Sequence, residues 1–313
     1  MLKIACVGIL VADVMASPVS SFPERGALNL VNSVTVHNGG NAMTAAINLR
    51  KMGVDSKMVG KVGDDMFGEF LRSRLDKAGV DTRALKTDTE TQSSVSIVLL
   101  DGTGERSFLH CTGTNGTLSV EDIDYSVIDE CDAVFVTGSF LMNTFDGQET
   151  AEFLKKCKEM GKTTFLDVCW DATDRWGELL DCAMPYIDFF MPSIDEAVKI
   201  AGCEDPDKIA EVFMTKGVKN VVIKMGSKGS YLRLRGWESG KIYPALRGVV
   251  AVDTTGAGDS FCSGFLAAYA RGESAEFSAE FANAVGALCV TEKGATTGIR
   301  TYEETLEFKK AHS

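Results

Sequence analysis

Apolar residues along this chain fall into short runs, separated by longer stretches in which they recur every three or four positions. Residues 4–9 form an apolar run suited to a strand covered on both faces. Residues 41–52 are good helix formers, and Gly53 follows where a left-handed residue ends a helix. Residues 56–62 return as a strand. Asp64 is placed to cap the next helix, in which Phe67, Phe70, Leu71, Leu75 and Ala78 keep helical spacing and Gly79 closes the last turn. Residues 133–136, 163–168, 187–191 and 220–224 read as further strands, with amphipathic stretches such as 147–160 and 206–215 between them. This alternation predicts an α/β fold: a doubly wound, mostly parallel sheet with helices on both faces.

Two segments break the rhythm. Residues 10–36 contain Pro18, Pro23 and Gly26 and have no helical period. Residues 92–110 read as a β-hairpin, 94–100 and 105–110 joined by a turn through Asp101, Gly102, Thr103 and Gly104. Such pieces predict a small second sheet, with segments of about 10–36 and 92–112 inserted as a lid that keeps water from a reaction beneath it. No linker, repeat or low-complexity segment interrupts the chain, so residues 1–313 are expected to form one domain carrying this lid.

Composition narrows the partners. Lys and Arg number 32 against 44 Asp and Glu, a formal charge of −12. That argues against nucleic acid and anionic membranes, which demand clustered basic residues. No apolar run reaches membrane-spanning length. The first residues run straight into a strand without the shape of a signal peptide, so a cytoplasmic location is expected. Nine cysteines are scattered with no Cys-x-x-Cys pair and read as reduced core residues. His37, His110 and His312 are too few and too dispersed for a zinc site or a Ser-His-Asp triad, and His110 reads as an exposed strand residue.

The densest chemistry lies at residues 252–261, Val-Asp-Thr-Thr-Gly-Ala-Gly-Asp-Ser-Phe. An apolar run at 249–252 leads in and a small-residue apolar stretch at 261–270 leads out, the pattern of strand, tight turn and helix. Gly256, Ala257 and Gly258 let backbone N–H groups converge at a helix start, where the dipole favours negative charge. Asp259 stands beside that anion hole. A carboxylate there suits a hydroxyl about to lose its proton, so the pair points to phosphoryl transfer with Asp259 as base. No Gly-x4-Gly-Lys-Ser/Thr loop occurs, and no Gly-x-Gly-x-x-Gly fingerprint follows the first strand, which disfavours an ordinary P-loop enzyme and an NAD-dependent dehydrogenase.

Weaker signals surround it. Gly39 and Gly40 open a helix after an extended segment and let the main chain approach a ligand. Asp13 follows the first strand, beyond whose carboxyl end ligands bind in such sheets, and could accept from two vicinal hydroxyls. Residues 224–229, Lys-Met-Gly-Ser-Lys-Gly, form a glycine-bearing turn able to pass a nucleotide. Glu196 follows the strand at 187–191 and could hold Mg²⁺ through water; in isolation it equally suits the first turn of a helix.

Taken in order, these pieces resemble the ribokinase-like, or PfkB, carbohydrate kinases over essentially the whole chain. The Asp-Thr-Thr-Gly-Ala-Gly-Asp run matches that family's C-terminal signature, and Gly39-Gly40 its N-terminal glycine motif. The resemblance implies a doubly wound domain with a β lid, often dimeric through the lid, that transfers the γ-phosphoryl of ATP to a sugar or nucleoside hydroxyl. It implies Asp259 as base and Gly256, Ala257 and Gly258 as anion hole. Asp13, Gly39, Gly40 and Thr44 would face the substrate. Lys224, Gly226 and Gly229 would line the ATP site, with Asn283 near the adenine. Glu196 would govern Mg²⁺, and Asp253, Thr255 and Gly294 match the position where many relatives hold a monovalent cation such as K⁺.

Three departures bear on specificity. Val11 stands two residues before Asp13 where ribokinases have Asn, Thr44 ends the glycine motif where Asn is usual, and Ser193 replaces the first Asn of Asn-x-x-Glu. Two lost polar contacts weigh against ribose itself, since such sites discriminate through hydrogen bonds. The expected activity is phosphorylation of a sugar hydroxyl. A nucleoside kinase is the alternative enzyme, with Phe22 or Phe108 of the lid flanking a base. A catalytically silent sugar or nucleotide sensor is the alternative of another class.

Overall fold

The computed structural model describes residues 1–102 and 105–312, and every count below refers to these. Strands β1 (Ile4–Gly8), β2 (Val11–Ser17), β3 (Ser33–Gly39), β4 (Ser56–Gly63), β5 (Leu85–Asp88), β6 (Val95–Leu100) and β7 (Arg106–Cys111) fill the first third of the chain. Strands β8 (Ala133–Ser139), β9 (Thr163–Val168), β10 (Phe189–Phe190), β11 (Asn220–Lys224), β12 (Ser230–Arg233) and β13 (Lys241–Tyr243) follow. Nine of them form one sheet in the order β13-β12-β11-β10-β9-β8-β1-β4-β5, and β3-β2-β6-β7 form a second. In the large sheet only β12 and β13 run antiparallel to their neighbours.

The large sheet is buried on both faces, which is why its central strands read as apolar runs. Ile4 and Cys6 of β1 point into one core layer, with helices Asn41–Lys51, Met66–Ala78, Ala257–Tyr269 and Ala275–Cys289. Ala5 and Val7 point into the other, with helices Gln148–Glu159, Ile194–Ala201 and Pro206–Thr215. Chain order reverses where β1 lies beside β8, and the carboxyl ends of the strands flanking that point open into a crevice, the usual ligand site of such sheets.

The small sheet is the expected lid, with its limits shifted. Its strands extend to Gly39 on one side and Cys111 on the other, and the hairpin residues Thr103 and Gly104 lie outside the described residues. The register pairs Asp13 with His37 and Ser96, and Val98 with Phe108, so Asp13, Val98, Arg106 and Phe108 share the face turned to the crevice.

Four local expectations differ. Asp65, not Asp64, caps the second helix, accepting from the N–H groups of Phe67 and Gly68. The strand expected at 187–191 is only Phe189–Phe190, because a 3₁₀ turn at Met184–Tyr186 leads directly into it and Pro192 follows closely. Residues 249–252 are irregular, with Val250 78% and Val252 58% exposed, so no strand leads into the glycine turn. Cys111 and Cys182 are exposed, while Cys6, Cys131, Cys157, Cys262 and Cys289 are buried and all nine are free thiols.

Candidate active site

The glycine turn opens the helix Ala257–Tyr269. Gly256 is its cap, with φ 71°, a left-handed conformation that favours glycine. A Cβ there would also stand 2.3 Å from the Ala295 Cβ. The N–H of Ala257 closes the turn onto the Thr254 carbonyl at 3.2 Å. The Gly258 N–H belongs to the first turn, whose amides no helical carbonyl can satisfy. Of the three amides expected in the anion hole, that of Ala257 is therefore engaged within the turn.

Asp259 sits in the same first turn. Its Oδ1 accepts from Asn41 Nδ2 at 2.7 Å, and Asn41 Oδ1 accepts from Cys169 Sγ at 3.3 Å. Asn41 begins the helix that Gly39 and Gly40 introduce, so both glycine motifs meet at one carboxylate. Burial pushes the Asp259 carboxyl above its ordinary value, Lys224 and the Asn41 hydrogen bond pull it down, and Glu196 adds to the rise. A carboxylate raised in this way is a stronger proton acceptor than a solvated one.

Asp259 lines two cavities. The first, of about 360 Å³, lies under the lid and is walled by Asp13, Gly39, Gly40, Thr44, Arg106 and Phe108. Gly39 has a specific reason to lack a side chain: a Cβ would stand 2.1 Å from Asp13 Oδ2. Burial raises the Asp13 carboxyl to about 6, against a hydrogen bond from Ser96 that lowers it. Phe22, the other aromatic expected here, is 65% exposed and is not part of the wall.

The second cavity runs from Asp259 past Asn41, Glu196, Lys224 and the Gly256–Gly258 turn. Lys224 also lines a third, of about 360 Å³, with Gly226, Gly229, Asn283, Ala287 and Gly258 on its walls. Asn283 is mostly buried and donates to the Tyr243 and Pro244 carbonyls at 2.9 and 3.2 Å, fixing the loop that forms one wall. The Lys224 Nζ would lie 3.6 Å from a Cβ on Gly258, which puts an ammonium beside the helix start. It is held by Asp167, a fully buried carboxylate of β9, at 2.6 Å. Burial alone would lower the Lys224 ammonium, but the Asp167 carboxylate keeps it above its ordinary range.

Of the two roles expected of Glu196, its hydrogen bonds show the one in the first turn of a helix. Ser193 caps the helix Ile194–Ala201 through a reciprocal pair: Glu196 N–H donates to Ser193 Oγ at 3.3 Å, and Ser193 N–H donates to Glu196 Oε2 at 2.7 Å. The same carboxylate lines the cavity that holds Lys224 and Asp259. Among the described residues no group of three or more His, Cys, Asp or Glu could cage a metal ion. A Mg²⁺ ion fits here only as one that keeps phosphate and water ligands, with Glu196 reached through water.

Asp253, Thr255 and Gly294 do come together, below the lid. Asp253 Oδ1 accepts from Thr255 N–H at 2.8 Å, Thr255 Oγ1–H at 2.6 Å and Arg106 Nη2 at 2.7 Å, and Oδ2 accepts from Gly294 N–H at 2.9 Å. Burial opposes the charge of Asp253, but these donors and the Arg106 guanidinium hold its carboxyl below the usual range. Sequence reading missed Arg106, Asn41 and Asp167. Only Asn41 had a local signal, its place directly after Gly39-Gly40.

The architecture is that of the ribokinase fold, and the site is built at the carboxyl ends of its parallel strands. The model of the pfkB family carbohydrate kinases matches residues 1–301, and the chain belongs to that family of enzymes. A fructokinase of Klebsiella pneumoniae is 31% identical over 281 residues, covering 86% of this chain and 90% of the relative. The crystal structure of a ribokinase from Thermotoga maritima is 26% identical and superposes with a TM-score of 0.85, covering 99% of this chain and 100% of that one. An Arabidopsis thaliana ribokinase solved with ribose and ATP has the same fold, with a TM-score of 0.86 at 24% identity over 99% of each chain. Among the described residues no helix is long and apolar enough to cross a membrane.

Proposed function

We propose that this carbohydrate kinase transfers the γ-phosphoryl of ATP to a hydroxyl of a sugar or sugar-like molecule bound under the lid, with Asp259 as the base. The observation that carries the assignment is the position of Asp259. It is shared by the lid cavity and the cavity that leads past Glu196 and Lys224, and it lies in the first turn of a helix, where N–H groups have no helical carbonyl to bond.

Asp13 and the Gly39–Gly40 backbone hold acceptor hydroxyls. Lys224, Gly226, Gly229 and Asn283 line the ATP site, and Glu196 meets Mg²⁺ through water. Bound MgATP supplies the phosphoryl group. Asp259 orients the acceptor hydroxyl and takes its proton as the oxygen forms its bond to phosphorus and ADP departs. The Gly256 and Gly258 amides and the Lys224 ammonium face the charge on the transferring group. The lid excludes water, which would otherwise compete as acceptor.

Asp259→Asn tests the base. Nucleotide binding by calorimetry is expected to persist while kcat falls by about 10²–10⁴-fold, the usual worth of a positioned base. Native turnover in that variant sinks the assignment. A nucleoside acceptor is the second reading, favoured by Phe108 on the wall of the lid cavity. A panel of sugars and nucleosides, read by ADP release, separates the two readings, and no release with any of them favours a silent sensor.

We also propose a homodimer through the lid. The outer face of the small sheet presents Val34, Ile97 and Leu109 at 62%, 44% and 55% exposure, with Val36 beside them. An apolar sheet face of this kind marks an interaction surface.

A further inference from the structure

The Asp253 carboxylate stands where the family resemblance puts a monovalent cation, and its surroundings do not fit one. Four hydrogen-bond donors converge on its two oxygens, three of them on Oδ1. A cation bound there needs those lone pairs, yet each of the four groups on the carboxylate presents hydrogen. It would also stand against a guanidinium that is charged at all working pH values and is itself mostly buried in the pair.

We infer that Arg106 replaces the cation: its guanidinium, carried on lid strand β7, is the fixed positive charge at Asp253, and turnover does not depend on K⁺ or Na⁺. This rests on the kinase reading of the same site. The consequence for the reaction follows from what Asp253 joins. Thr255 directly precedes Gly256 of the anion hole, and Gly294 directly precedes Ala295, on which Gly256 packs. Neutralising Asp253 therefore steadies both segments that shape the glycine turn. A diffusible ion would do this whenever its concentration allowed. Arg106 does it when the lid is down, and since Arg106 also walls the acceptor cavity, closure over the acceptor and delivery of the charge are one event.

The test compares initial rates of ADP formation in chloride salts of K⁺, Na⁺ and choline at equal ionic strength, with nucleotide supplied as its Tris salt. Native rates are expected to agree within about twofold, the scale of non-specific screening differences. Arg106→Gln is expected to lower kcat in choline by roughly tenfold or more, the loss of one charged hydrogen bond, and K⁺ is expected to restore part of it. Arg106→Lys should retain more activity than Arg106→Gln. Strong K⁺ activation of the native enzyme overturns the proposal, as does a native rate for Arg106→Gln in choline. Loss without recovery in K⁺ overturns it too, because Arg106 would then serve the acceptor alone. Thermal melting in the three salts gives a readout without turnover: the native melting temperature should not respond to K⁺, and a saturable rise overturns the proposal. If no acceptor is phosphorylated, the kinase reading fails on its own, while melting still decides the cation question.

Discussion

Asp167→Asn should destabilise this protein far more than its side-chain volume suggests. Asp167 is fully buried, and its carboxylate holds Lys224 Nζ at 2.6 Å with Cys262 Sγ as a further donor at 3.6 Å. The amide keeps the shape but removes the charge, leaving the Lys224 ammonium, 12% exposed, without its only ion-pair partner among the described residues. Breaking a buried pair from one side costs about 3–5 kcal/mol. For a chain of this size that corresponds to a fall in melting temperature of roughly 10 °C. The double variant Asp167→Val/Lys224→Met removes both charges and should recover most of that loss, since apolar replacement of a whole buried pair is often neutral. It should still turn over slowly. Lys224 lines both cavities on the proposed nucleotide side, and one charged hydrogen bond, worth about 1.5–3 kcal/mol, corresponds to a drop of roughly 10–150-fold. Differential scanning fluorimetry, urea titration and steady-state kinetics on the native protein and these two variants read all three expectations. An Asp167→Asn variant that melts with the native protein refutes the argument. So does a double variant with native kcat.

Two further outcomes follow from the site and the lid. Asp13 must be ionised to accept two hydroxyl hydrogens, and its carboxyl is raised to about 6, so the acceptor KM should rise as pH falls through 6; Asp13→Asn should raise KM at pH 8 and flatten that profile, and an unchanged native KM between pH 8 and pH 5 contradicts the role. Ile97→Glu puts a charge at the centre of the lid's outer face and should convert a dimer to a monomer in sedimentation velocity without lowering the melting temperature by more than about 2 °C, whereas a native chain that sediments as a monomer at micromolar concentration ends the dimer proposal.

Much of the fold was legible because parallel strands buried on both faces leave continuous apolar runs. Thr163–Val168, Asn220–Lys224 and the helix Pro206–Thr215 have the ends that the pattern predicts. The failures are equally physical. An apolar run carries no period, so the largely exposed residues 249–252 look the same as a buried strand. Two adjacent aspartates, Asp64 and Asp65, offer the same cap chemistry, and the choice falls to Asp65, whose other oxygen also accepts the Ser93 N–H from a distant loop at 2.7 Å. In the site, Asp259 and the glycines could be read because turn and helix start are encoded locally. Asn41 meets Asp259 across 218 positions, and Arg106 meets Asp253 across 147. Neither pairing leaves a trace in the spacing of residues.

Those separations govern when the molecule can first act. The helix that begins at Asn41 packs directly on the helix that carries Asp259, so the earlier segment waits for one that leaves the ribosome 218 positions later. A nascent or clipped chain ending before the helix Ala257–Tyr269 has no competent centre, however well its early strands have paired, and consumption of ATP waits for that helix to emerge.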